Sequence, residues 1–294
     1  VPSASAHSLA SSSSKLIGLL VPATDEDSLM ISPHHMAIAG HAERELRKSG
    51  YHLLLRGIAR LAEVTEALHS WSLDGAILLG FVDEQIDKRT KATAGPVPMA
   101  AIDSYSRNRL TAGPRSDDFV GARLAAEHLL SLGHRDIVFA GPEFCLAGVV
   151  RERFDGFRAA FDDAGVPWAP GMVEVVNTTH HEGLGCGKSL PRRHPSVTAV
   201  FATADILAVG IMEGLITTGF SVPRDVSVVG FDDLEFSKYV TPKLTTVIQD
   251  IGRKGATAVA MLVAAIEQQV RPAHPVTLDV SLTIRDSTAP PKGS

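Results

Sequence analysis

The sequence predicts an α/β protein built on two similar units, each with a parallel, doubly wound sheet. Three observations carry this. Short apolar runs recur along the chain with little polar alternation, as strands buried on both faces require. Helix-like segments with a single apolar stripe fill the gaps, and alternating strand and helix imply parallel strands with helices on both faces. Eight such units in 294 residues exceed one comfortable open sheet, so two sheets of similar size are expected. A closed eight-unit barrel is the structural rival that counting alone leaves open.

The apolar runs are Leu16–Val21, Tyr51–Leu55, Gly75–Leu79, Val97–Ile102, Asp136–Ala140, Met172–Val176, Thr198–Ala202 and Val226–Phe231. Ala39, Ala42 and Leu46 form a helical stripe that Gly50 ends. Ser116 reads as the cap of a helix with Asp117 and Asp118 in its first turn, a stripe of Val120, Leu124, Leu129 and Leu132, and Gly133 as its C′ residue. Ile251 to Gln268 reads as a helix with Ile251, Ala258, Leu262 and Ala265 on one face, followed by an alternating segment from Val276 to Ile284. Residues 1–14 are Ser/Ala-rich and read as a tail that orders with a partner. The Pro/Gly-rich end, Thr288–Ser294, reads as loose.

Hydrophobic residues make up 45% of the chain and charged ones 21%, which excludes a disordered chain, a coiled coil and a collagen-like repeat. The 28 Lys and Arg are outnumbered by 33 Asp and Glu, a net charge of −5 that argues against a chain-wide nucleic-acid binder. Two cysteines, Cys145 and Cys186, make no disulfide framework and suit a reducing compartment. No stretch approaches the length of a membrane span, and no basic start precedes a long apolar run, so an export signal and a membrane partner are not expected. Val1 is not a methionine, and the chain is expected to have lost or lacked an upstream segment.

In open parallel sheets, ligands bind beyond the carboxyl ends of the strands. Thr24 and Asp25, Asp103, Asp205, and Asp232 with Asp233 follow predicted strands, and Arg151 and Arg153 open the helix after Asp136–Ala140. Carboxylates accept from hydroxyls and a guanidinium donates in a fixed fork, a set suited to a small polyhydroxylated ligand. The competing reading is that strand-end aspartates cap the next helix, Asp205 and Asp233 above all.

Other constellations are weaker. Glu182 to Ser189 resembles a phosphate loop at its end but has Glu182 where the opening glycine belongs, and reads as a flexible turn. His34-His35 and His180-His181-Glu182 lack metal-ligand spacing, so no metal is expected. There is no Gly-x-Ser-x-Gly elbow, no cysteine nucleophile context and no cofactor motif, so neither enzyme chemistry nor a cofactor is expected. Arg192-Arg193-His194 reads as a solvated basic patch, and Trp71 and Trp168 as packing residues.

Several stretches then read together: Lys15–Pro22, Leu129-Leu-Ser-Leu-Gly-His-Arg-Asp-Ile137, Arg151-Glu-Arg-Phe-Asp-Gly-Phe157, Thr198–Gly210, and Val222-Pro-Arg-Asp-Val-Ser-Val-Val-Gly-Phe-Asp-Asp233 with Tyr239 and Thr241–Val247. In this order, over nearly the whole chain, they resemble the lactose-repressor (LacI/GalR) family of bacterial transcription regulators. The resemblance implies a periplasmic-binding-protein-like core of two lobes with the ligand between them. It divides the chain into a hinge remnant at 1–15, an N-lobe at 16–116 plus 250–275, a C-lobe at 117–249 plus 276–288, and a tail at 289–294. Pro2–Ser11 resembles the end of a DNA-binding headpiece and its hinge helix, with Ala6 and Leu9 as the DNA-contacting residues and the helix-turn-helix absent from the chain. Leu9 would wedge into the minor groove, and so short a hinge is expected to be unstructured without DNA.

Carried over by resemblance, Asp103, Arg153, Asp232 and Gln249 line the effector site. Ala204 stands where an asparagine is usual, Thr178 near the usual pocket aromatic, and Ser28–His35 replaces the usual segment after the first strand, where Asp25, His34 and His35 are further polar groups. The implied function is an effector-sensing, dimerising cytoplasmic core that binds a sugar or related polyol and couples it to operator DNA by shifting a population between lobe arrangements. The alternatives are a periplasmic solute-binding protein and, more remotely, an enzyme on the same scaffold. Residues 1–294 alone, net negative and without a headpiece, are expected to show no operator-level affinity; a gel-shift titration at stated salt checks this.

Overall fold

The computed structural model describes residues 13–25, 28–29, 32–60, 62–83, 86, 97–106, 111–143, 147–269 and 274–292. The hinge positions Ala6 and Leu9, and Cys145, lie outside them. Along the chain the elements are β1 (Leu16–Asp25), β2 (Ser28–Leu29), α1 (Pro33–Lys48), β3 (His52–Ile58), α2 (Ala62–Ser70), β4 (Gly75–Leu79), β5 (Met99–Ile102) and β6 (Pro114–Ser116). There follow α3 (Asp118–Ser131), β7 (Ile137–Gly141), α4 (Val149–Asp163), β8 (Val173–Val175), α5 (His180–Arg193), β9 (Ala199–Ala202), α6 (Asp205–Thr217) and β10 (Ser227–Asp232). The chain closes with β11 (Thr245–Gln249), α7 (Ile251–Glu267), β12 (Val276–Leu278) and β13 (Val280–Thr283). Two compact units share these elements: one takes the chain up to Arg115 and then Ile251–Leu278, the other takes Ser116–Asp250 and the residues from Asp279 onward.

In the first unit the parallel strands lie in the order β3–β1–β4–β5, with Leu16 opposite His52, Ile17 opposite Gly75 and Ala76 opposite Met99. β2 folds back antiparallel on the far end of β1, and β6 pairs with β12 as a separate ribbon. Successive side chains of a strand face opposite sides, so Ile17, Leu19, Ile77 and Ala100 meet α1 and α7 through Ile38, Ala42, Leu46, Ala258 and Leu262. Leu20, Leu78 and Ala101 meet Val64, Ala67 and Leu68 of α2 on the other side. Ser32 caps α1 by accepting from the His35 amide, and Pro33 opens the helix, which fixes His34 in its first turn.

The second unit repeats the order with one strand more. β8–β7–β9–β10–β11 are parallel, and β13 closes the β11 edge antiparallel. One face carries an aromatic core under α3 and α4, where Phe157 stacks on Phe201 at 5.7 Å and Phe139, Phe161, Phe231 and Trp168 fill in around them. The other face sets Val138, Val200 and Val228 against Leu190, Leu207, Ile211 and Leu215. Two open sheets replace the barrel rival.

Four local expectations are corrected. Asp117, not Ser116, caps α3 by accepting from the Val120 amide, and the buried stripe is Gly121, Ala122, Ala125, Ala126, Leu129 and Leu130, leaving Val120 exposed. Small residues win that face because the helix lies close on the sheet: a Cβ on Gly121 would stand 2.8 Å from the Phe231 ring. Glu182–Ser189 is no turn but the body of α5, capped by Thr179. Its Gly183 and Gly187 meet Gly210 and Gly214 of α6, and a methyl on any of the four would collide with backbone of the other helix. Val276–Leu278, read with the second unit, forms its ribbon with β6 in the first.

The last correction concerns the C-terminal end, read as loose. Buried Ser287 accepts from the Thr245 amide and donates to the Val228 carbonyl, and the Ala289 carbonyl accepts from Ser227 Oγ and bonds His134 Nε2 at 2.9 Å. Through Ala289 the segment is therefore tied to the second unit, while Pro290 and Lys292 stay exposed.

The helix crossing yields a paired prediction. Gly187→Val is expected to lower stability by about 1–3 kcal/mol through overpacking. Gly185→Ala, on the exposed side of the same helix with nothing within 4 Å of the added methyl, is expected to raise it by about 0.5–1 kcal/mol. Urea denaturation midpoints of the two variants check both.

Candidate functional site

In each unit the first strand of the α/β pattern sits inside the sheet, so the strand order reverses beside it, between β1 and β4 and between β7 and β9. That reversal opens a crevice outside the carboxyl ends of the strands. The polar residues singled out from the sequence stand at those ends. Three of them share a backbone signature: Asp103, Asp232 and Asp233 have φ of 57°, 131° and 55°. Aspartate tolerates the left-handed region better than most residues, yet such positions cost about 1–3 kcal/mol each and gather at ligand sites.

In the first unit Asp103 follows β5 and is held by its amide, which donates to the Pro114 carbonyl at 3.0 Å. Its Oδ1 accepts from Lys254 Nζ at 2.6 Å, and Oδ2 lies 3.5 Å from His34 Nε2. Lys254, on α7, has no solvent exposure. Burial pushes the Asp103 carboxyl up, but the Lys254 ammonium and His34 outweigh it and hold the group well below the usual carboxylate range. Asp83 fixes the loop that follows, its Oδ1 accepting from Ser104 Oγ and the Tyr105 and Ser106 amides at 2.6, 2.8 and 3.0 Å. Neither Lys254 nor Asp83 was found from the sequence. The signal for Lys254 was there: it stands three residues after Ile251 and four before Ala258, on the apolar stripe of its helix.

In the second unit Arg153 projects from the first turns of α4. Its Nε and Nη2 reach Asp118 Oδ1 at 2.8 and 2.7 Å, Nη1 donates to the Thr203 carbonyl just past β9, and the guanidinium lies 3.6 Å from the Phe231 ring centre. Anion, carbonyl and ring together fix its plane. Both members of the pair are buried, Asp118 completely. Asp232 Oδ1 accepts from Gln249 Nε2 at 2.6 Å, and Gln249 Oε1 accepts from Ser116 Oγ at 2.6 Å. The order Ser116–Gln249–Asp232 settles which end of the Gln249 amide faces the carboxylate.

Asp205 does not cap its helix. Its Oδ2 accepts from the Leu234 amide at 2.9 Å and its Oδ1 from Thr246 Oγ1 at 2.5 Å. Burial first, then the nearby Asp232 charge, push its carboxyl well above the usual range. Ala204, in the N-cap position of α6, offers no side-chain cap. Asp233 binds Arg285 and accepts from Ser237 Oγ, which ties β10 to the C-terminal segment. Arg151 makes a surface pair with Asp155 at 2.8 Å and stays out of the set. The side chains of Thr24 and Asp25 lie outside the described residues.

The two sets offer fixed hydrogen-bond acceptors, one guanidinium and one amide. Among the described residues no group of three His, Cys, Asp or Glu is placed to hold a metal ion. No helix among them is long and apolar enough to cross a membrane.

Comparison with known proteins agrees with this fold. The profile of the family described as periplasmic binding protein-like domain matches residues 126–288. The HTH-type transcriptional repressor PurR of Pasteurella multocida is 27% identical over 292 residues, 97% of this chain and 85% of that one. A LacI family transcriptional regulator from Enterococcus faecium, solved with bound ribose, superposes with a TM-score of 0.80 at 29% identity, covering 94% of this chain and 99% of that one. The Lac repressor dimer bound to operator and the anti-inducer ONPF superposes with a TM-score of 0.81 at 25% identity, over 98% and 99%. These relatives are transcriptional regulators, not enzymes. With two doubly wound sheets of matching order and a similarity that runs nearly end to end, the chain belongs to the periplasmic binding protein-like domain family, as the effector-binding core of a LacI-family transcriptional regulator.

Proposed function

We propose that this core binds a sugar or related polyol through Asp103 of the first unit and Arg153, Asp232 and Gln249 of the second. It acts inside the cell as a homodimer that couples the ligand to operator DNA. The observation that carries the reading is the chemistry of the strand ends: each proposed residue is held in place by a buried or half-buried partner, so its acceptors and donors meet a ligand without reorganising. Hydroxyl groups match such a set, since they donate to carboxylates and accept from a guanidinium. The ribose-bound relative supports the ligand class and the operator-bound Lac repressor dimer supports the coupling. The hinge positions Ala6 and Leu9 are proposed to carry it to DNA. A ligand works in this way only through unequal affinity for two conformations of the core.

A thermal-shift panel of free sugars tests the site. A binder present at about 100 times its Kd stabilises the native state by about 2.7 kcal/mol and raises Tm accordingly. Asp232→Asn keeps the shape of the side chain and is expected to cut the affinity at least tenfold while the protein stays folded. An unchanged shift in that variant excludes Asp232 from the site.

The raised Asp205 carboxyl predicts a pH dependence. Its native proton affinity exceeds that of the unfolded chain, so the stability it confers is complete below about pH 4 and is lost as pH rises through the native value. Asp232→Asn removes the neighbouring charge that contributes to the shift. The variant is therefore expected to lose less stability than the wild type between pH 4 and 8, measured as urea midpoints across that range.

A further inference from the structure

We propose that Lys254 is the positioning residue that makes the first unit's half of the site selective for uncharged ligands. The inference rests on the effector reading above and names the charge class of the ligand. Its observations are geometric. Lys254 is completely buried, whereas the Asp103 side chain keeps 16% exposure and the His34 side chain 13%. The ammonium thus reaches Asp103 from the protein side, at 2.6 Å on Oδ1, while Oδ2 is the oxygen beside the partly exposed His34.

Two consequences follow. First, the pair carries no net charge, so a ligand meeting Asp103 meets an oriented acceptor and not an uncompensated anion. A cationic group gains little there, because the ammonium already occupies that role. A phosphate or carboxylate meets a carboxylate oxygen at the surface with the matching cation out of reach behind it. Second, Lys254 holds Asp103 in the geometry and charge state in which it accepts hydroxyl hydrogen bonds. In the second unit Arg153 is matched likewise by buried Asp118, while Asp232 is met by the neutral Gln249 amide. A neutral, hydroxyl-rich molecule is the ligand that two pre-matched ion pairs select.

A binding panel with four probes tests this: ribose and cellobiose as neutral compounds, glucosamine as a cation and ribose 5-phosphate as an anion. It is run on the full chain, the Lys254→Met variant and the Asp103→Asn/Lys254→Met double variant. The wild type is expected to bind a neutral probe and neither charged one. Lys254→Met is expected to weaken the neutral probe by at least tenfold and to shift preference toward glucosamine, whose ammonium replaces the lost charge. The uncharged double variant is expected to stay folded even where Lys254→Met alone unfolds and, with no carboxylate left at position 103, to show no preference for glucosamine. Neutral binding that survives Lys254→Met with the same preference, wild-type binding of a charged probe above the neutral ones, or a folded double variant that prefers glucosamine overturns the proposal and leaves the effector reading standing. A wild type that binds none of the four overturns both.

Discussion

Parallel strands deliver all their carboxyl ends to one edge of a sheet, and the polar architecture of each unit is organised about that edge. The strand interiors are largely sealed between helices, so the polar residues of the proposed set gather where the strands stop. Asp103, Asp232, Asp233 and Thr203 all lie within a residue or so of a strand end. The helices that follow can bring only their first turns to the same edge, which is where His34, Asp118 and Arg153 stand. The site is a by-product of sheet polarity, refined by the choice of residues at a few fixed places.

That refinement is governed by the cost of burying charge. An isolated carboxylate or ammonium in such a place would be destabilising by several kcal/mol, and each buried charge in the proposed set has an answer. Lys254 answers Asp103, Asp118 answers Arg153, and the Gln249 amide, oriented by Ser116, turns its donors to Asp232. Asp205 has no cation and is met by a hydroxyl and an amide, and its proton affinity rises instead. Asp103 and Asp205, two strand-end aspartates displaced in opposite directions, differ in their neighbours: an ammonium and His34 stand beside the first, deeper burial and the Asp232 charge act on the second.

Much of this was legible in the sequence. Apolar runs placed most of the parallel strands because a strand buried on both faces has no polar alternation to hide it. β11 was missed as a strand because Thr245, Thr246 and Gln249 make it polar, although all three are buried. The stripe of α3 was misplaced because the eye follows large residues, while a helix lying against an aromatic core buries its glycine and alanines. The same bias hid α5, whose glycines read as a turn until the opposing glycines of α6 explained them. Strand-end aspartates were visible, but their partners came from far along the chain. Lys254 stands 151 positions after Asp103, and only its place on an apolar stripe marked it.

The interleaving of the two units has a consequence for how the chain is made. A ribosome that has released residues up to Asp250 has exposed all five strands of the first sheet and most of the second, and has completed neither unit. The first unit still lacks α7, and with it the cover over Ile17, Leu19 and Ile77. The second still lacks β13, the edge partner of β11, and Ser287, which satisfies the Thr245 amide. Until the residues from Ile251 to Ser287 emerge, an apolar sheet face and an unpaired strand edge stand open together. Such surfaces are the ones that recruit chaperones or aggregate, so the interval before those residues emerge sets how long both stay open.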